Sequence, residues 1–226
     1  MRTYIKMIGY LQTTLVGGSV LYLMSMPTVL AYYPSLLPPN IITTLFLISL
    51  LSVTFVMSIR PLADILMGVK FIRPLVILRK GFGVLSASII VGFILSKMLV
   101  YGFSAYIANI GTPTYWSLDR YALFAHLGDL SAIILLITSN NFSKRMLGFW
   151  WKRIQKLAYV YFYAGATYEW LAFNSTVALG AIILVTILVV TAWRFNARRR
   201  AVAAAAPRIA TPTPPTDQAT HLTIRA

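Results

Sequence analysis

The chain has 226 residues, of which 58% are hydrophobic and only 11% charged. A soluble domain carries about a quarter charged residues, so this composition excludes an ordinary soluble enzyme or binding module and points to an integral membrane protein. The absence of cysteine excludes disulfides, iron–sulfur clusters and thiolate metal sites, and the net charge of +15 sits in short clusters between apolar runs. That pattern is a topology signal rather than a nucleic-acid patch, so nucleic acid is not expected as a partner.

Arg2 and Lys6 precede the first apolar run, residues 7–32, which is too long for a signal-peptide core and reads as a retained first helix. Gly17, Gly18 and Pro27 are its candidate bend points. An uncharged, proline-rich loop covers residues 33–40. The second span is expected over 41–58, followed by a basic loop in which residues 63–78 suit an amphipathic helix on the membrane surface. Further spans are expected over 82–103, 116–138, 150–170 and 177–193, with a short basic, amide-rich loop between the fourth and the fifth. Each run is about 18–25 residues, enough to cross a bilayer with modest tilt. The fold class is therefore an all-α membrane protein with six transmembrane helices. After Trp193 an arginine cluster leads into an alanine-, proline- and threonine-rich segment, and residues 195–226 are expected to form a disordered tail.

Basic residues orient these spans. The N-terminus, the second-to-third loop, the fourth-to-fifth loop and the tail hold 2, 5, 5 and 6 Lys or Arg, together 18 of the 20 in the chain. All four lie on one side of a six-span arrangement, which puts both termini in the cytoplasm. Tryptophan agrees, with Trp116 and Trp170 at outer ends and Trp150, Trp151 and Trp193 at inner ends.

Ionisable residues inside spans are candidates for function. Lys97, His126, Asp129 and Glu169 form such a polar set, and His126 and Asp129 share a helix face at i, i+3. A buried Lys97–Asp129 ion pair fixing helix register, a proton- or ligand-related site, and His126 as a lone haem ligand are the readings of this set. Small residues Ala87, Ser88 and Gly92 on the third span, and Ala164, Gly165 and Ala166 on the fifth, suit close helix packing. No phosphate loop, serine–histidine–acid set or paired carboxylates on one element is present.

Three stretches carry a family resemblance. Ser58-Ile59-Arg60-Pro61-Leu62 closes the second span, Arg79-Lys80-Gly81-Phe82-Gly83 opens the third, and Thr138-Ser139 is followed by Leu147-Gly148-Phe149-Trp150-Trp151-Lys152-Arg153-Ile154. Together they resemble the ferric-reductase-like transmembrane domain, most closely its MsrQ (YedZ) branch. The resemblance covers residues 41–172 as a core of spans two to five, leaving 1–40 as a first helix with its outer loop and 173–194 as a sixth helix. It implies a helical bundle in the bacterial inner membrane that passes electrons through b-type haem held by histidines. The positions it assigns to those ligands are Phe93, Gln155 and Tyr168 in this chain. The last two are separated by about 20 Å along a helix.

Phenylalanine cannot ligate iron and glutamine is a poor axial ligand, whereas tyrosinate can bind ferric haem. The only other candidate inside a span is His126. The leading expectation is therefore a bundle without haem ligation, a structural, assembly or partner-anchoring subunit of a membrane complex in contact with lipid, or one holding a lipid-like molecule in its core. The alternatives are an electron-transfer subunit using haem b on His126 and Tyr168 or on partner-supplied ligands, and a small transporter built on Lys97, His126 and Asp129.

Overall fold

A computed structural model describes residues 2–69, 71–118 and 121–205. Among them every regular element is helical: α1 (Arg2–Tyr32), α2 (Ile41–Ile65), α3 (Ile72–Leu75), α4 (Leu78–Tyr101), α5 (Phe103–Ile110), α6 (Ala122–Thr138), α7 (Asn141–Ile154), α8 (Leu157–Phe173) and α9 (Thr176–Ala205), with 3-10 turns at Pro34–Leu36 and Pro113–Trp116. Four segments are long and apolar enough to cross a membrane: Thr3–Tyr32, Ile41–Ile65, Ile72–Tyr101 and Thr176–Ala201. Helices α6 and α8 have 17 residues each and lie in the same bundle.

The element boundaries reflect local chemistry, and several differ from the sequence expectation. Helix α1 runs unbroken through Gly17, Gly18 and Pro27. Helix α2 continues through Pro61 to Ile65. The surface helix expected over 63–78 is reduced to the four-residue α3: α2 ends at Ile65, Val69 N donates to Leu66 O in a turn, and Pro74, whose ring crowds the preceding turn, keeps α3 from extending backwards. Helix α4 stops at Gly102, whose φ of 86° only glycine adopts without strain. The helix expected as the fourth span begins at Ala122 rather than Trp116, since Trp116 belongs to a proline-initiated 3-10 turn and its indole N–H donates to Ile110 O at 2.9 Å.

The basic loop expected between the fourth and fifth spans is largely helical as α7, which breaks at Gly148, where φ is 47° and ψ −114°. Asn140 caps it, accepting from Ser143 N at 2.6 Å. Trp150 and Trp151 follow that break, and the helical backbone of Gln155 and Lys156 carries their segment on into α8, so this helix starts about where the fifth span is expected. Trp151 Nε1 donates to Thr138 O at 3.1 Å, which folds α7 back onto the end of α6. The Arg153 guanidinium lies over Phe149 and Trp150, 4.7 and 4.8 Å from their ring centres. Helix α9 continues through the arginine cluster to Ala205, past the expected start of the tail, and residues 206–226 lie outside the described residues.

Helices α2, α4, α6, α8 and α9 pack in a closed circuit, each against the next, with α9 returning to α2 and α2 also touching α8 across the middle. Helix α1 packs along α4. The core joins Leu50, Val53 and Met57 of α2 to Ala87, Ala132, Phe162 and Val185 of the other four helices. Small residues set the spacing. A Cβ on Gly128 would lie 3.6 Å from Gly165 N, and one on Gly92 would lie 2.6 Å from the Tyr22 ring of α1. Close packing is thus the role of Gly92 and Gly128, whereas a Cβ on Gly165 would meet nothing within 4 Å.

Gly92→Ala is expected to destabilise the protein by about 1–3 kcal/mol, the usual cost of overpacking. Thermal unfolding in mild detergent measures this, and pairing it with Tyr22→Ala should recover much of the loss.

Candidate functional site

Four circuit helices, α2, α4, α6 and α8, leave a cavity of about 120 Å³ between them. At its floor three hydroxyls from three helices meet. Tyr161 Oη lies 2.7 Å from Ser86 Oγ and 3.2 Å from Ser49 Oγ, the two serines are 2.9 Å apart, and Ser86 Oγ also donates to Ser49 O at 2.9 Å. All three side chains are buried. Inside an apolar bundle each hydroxyl needs a partner, and this cluster lets the three satisfy one another. It ties α2 and α4 to α8 at one level.

The wall is aromatic. Phe46 and Phe93 stack face to face, 4.8 Å between ring centres and 3° between planes. Phe173 packs against both Phe46 and Tyr168. Lys97, Asp129 and Glu169 line the same cavity. Lys97 and Glu169 come from about one turn before the ends of α4 and α8, and Asp129 from the middle of α6.

Three members of the expected polar set, Lys97, Asp129 and Glu169, therefore share one cavity. The expected Lys97–Asp129 ion pair does not form: among the described residues the one pair within 4.0 Å is His126 Nδ1 with Asp129 Oδ2, at 3.9 Å. His126 itself is not part of the lining. Its ring stacks on Tyr115 with centres 3.4 Å apart and planes 15° apart, and Trp116 meets it edge-on. Its Nδ1 is enclosed without a hydrogen-bond partner. Tyr115 belongs to the connection outside the spans, where burial, reinforced by a 3.5 Å hydroxyl contact with Tyr106, raises its phenol well above the ordinary range.

Of the positions that the resemblance assigns to haem ligands, Phe93 and Tyr168 face this cavity from α4 and α8. Gln155 lies in the turn between α7 and α8, away from it. These residues do not fit a haem. No imidazole lines the cavity, Phe93 is committed to its stack, and 120 Å³ is well below the roughly 300–1,000 Å³ of pockets for drug-sized ligands. Among the described residues no group of three or more His, Asp or Glu side chains is placed to hold a metal ion. Comparison with protein-family models, curated proteins and solved structures finds no match to this chain.

Sequence reasoning misses the floor of the cavity. Ser49 and Ser86 escape it because hydroxyl residues are common in apolar helices and only their meeting gives them a role. Tyr161, one of the tyrosines Tyr159, Tyr161, Tyr163 and Tyr168 along the expected fifth span, suits packing and bonding within the bundle from sequence alone. The one signal in the chain is the close spacing of serines, Ser49 with Ser52 and Ser86 with Ser88, within otherwise aliphatic helices. Tyr161→Phe is expected to lower stability by about 0.5–2 kcal/mol, the range for hydrogen bonds between membrane helices. A double-mutant cycle with Ser86→Ala, read by unfolding in mixed micelles, should return a coupling of the same order.

Proposed function

We propose that this chain is a six-span membrane protein of ferric-reductase-like architecture that has given up haem ligation and serves as a structural or partner-anchoring subunit of a larger membrane complex. The observation that carries this reading is the Phe46–Phe93 stack, which occupies the place where the resemblance puts an iron ligand. A side chain that cannot bind iron, packed face to face with a second ring, fills the interior instead of holding a cofactor open. The short motifs around Arg60, Gly81 and Trp151 support the family part of the proposal, and the hydroxyl cluster supports a rigid interior.

The proposed spans are α1, α2, α4, α6, α8 and α9. Helices α6 and α8, at about 26 Å each, are slightly shorter than a hydrocarbon core of about 30 Å, a mismatch that local bilayer thinning absorbs. Helix α7, with its Lys and Arg beside Trp150 and Trp151, suits the headgroup layer. The basic count favours both termini in the cytoplasm, and the family resemblance implies a bacterial-type inner membrane; the proposed role adds a membrane-protein partner beside lipid around the bundle.

Two experiments test this. The first is an absorption spectrum of the protein purified from haem-replete cells, oxidised and then reduced with dithionite. A spectrum without a Soret band is expected; a stoichiometric Soret band that shifts on reduction and is lost in His126→Ala would replace the proposal with the electron-transfer reading. The second uses the cysteine-free chain for single-cysteine labelling in membrane vesicles of known orientation. Ser143→Cys is expected to react from the cytoplasmic side and Thr114→Cys from the opposite side; a shared side would overturn the six-span arrangement, and the reverse would overturn the cytoplasmic placement of the termini.

A further inference from the structure

A second cavity, of about 420 Å³, lies between the end of α2, the short α3 and the start of α4, and three arginines line it: Arg60, Arg73 and Arg79. We infer that this pocket is a binding site for a phosphate group. Among the described residues its one lining carboxylate is Asp64, so three guanidinium charges there face a single carboxylate, an excess of two positive charges. Asp64 does not neutralise them. Its Oδ2 accepts instead from Asn196 Nδ2 of α9 at 3.4 Å, and no arginine of the pocket comes within 4.0 Å of it. Arg79 Nε is buried with no hydrogen-bond partner. A buried N–H without an acceptor is costly, and the oxygen of a bound anion would satisfy it.

Three like charges around one space also repel one another, and a ligand of opposite charge reverses that cost. Guanidinium groups match phosphate oxygens in pairs, which makes phosphate the anion these side chains suit best. The volume is in the range of small-ligand pockets. The walls are held from both sides: Arg199 of α9 contacts Met67 Sδ, and Tyr4 of α1 donates to Phe71 O at 3.1 Å while its ring meets Phe71 edge-on. Because the pocket sits at the basic end of the apolar helices, the phosphate can come from an anionic lipid headgroup or from a soluble phosphate compound.

The test uses the full chain in mild detergent, with native mass spectrometry after adding dioleoylphosphatidylglycerol or dioleoylphosphatidylcholine, and a thermal-unfolding titration with inorganic phosphate. One phosphatidylglycerol should be retained per chain in preference to phosphatidylcholine, and Arg60→Gln with Arg73→Gln should weaken retention about tenfold or more. Both side chains are exposed, so an unchanged melting temperature without lipid is expected to show that this variant is folded. Arg79→Lys keeps the charge, removes the Nε donor, and should weaken binding less. Saturable stabilisation by inorganic phosphate, lost in the same variants without lipid retention, assigns the source as soluble and upholds the site. The inference is overturned if neither probe binds. It is equally overturned if binding survives undiminished in the double variant, or falls as far in an Arg194→Gln, Arg198→Gln, Arg200→Gln variant that leaves the pocket intact.

Discussion

Three buried hydroxyls hold the centre of this protein together. In an apolar solvent the hydrophobic effect gives helices little reason to associate, so specificity comes from close packing and from polar groups that must be satisfied inside the bundle. Ser49, Ser86 and Tyr161 meet that requirement jointly, with contacts of 2.7–3.2 Å among their side chains. Since each belongs to a different helix, the cluster sets the relative height and rotation of α2, α4 and α8. The cavity above it, and the stack of Phe46 on Phe93, depend on that placement.

The two cavities differ in chemistry because they lie at different depths. Between the spans the lining is aromatic and aliphatic, with Lys97, Asp129 and Glu169 as its charged members. At the basic end, charge is concentrated on arginines from three separate elements around one carboxylate. The extension of α9 beyond the apolar stretch matters here, since Asn196 and Arg199 reach Asp64 and Met67. The helix that ends the apolar part of the chain thereby also braces the connection between α2 and α4.

Much of the bundle is legible in the sequence. Long apolar runs mark α1, α2, α4 and α9, because a stretch that must satisfy its own backbone in lipid is long, apolar and helical. Boundaries at the basic ends are less legible. Trp150 and Trp151 read as the start of a span because tryptophan favours the interface at either side of it, and the chain does break just before them, at Gly148, after which helical backbone runs through Gln155 and Lys156 into α8. Trp116 misleads, its indole being used to close a 3-10 turn on Ile110.

By itself the sequence determined the class of protein, the apolar segments and the gathering of basic residues into short clusters between them. These depend on composition and order along the chain, which lipid and water read directly. It also excluded thiolate chemistry and left only His126 and His221 as imidazoles. Tertiary structure alone decided which polar groups meet. Lys97, Asp129 and Glu169 come from three helices and share a cavity without an ion pair, while His126, one turn from Asp129, turns to stack on Tyr115. Helical spacing specifies the face a residue occupies, but the rotation of each helix against its neighbours is set by contacts such as Gly128 on Gly165 and Ser86 with Tyr161, between residues far apart in the chain.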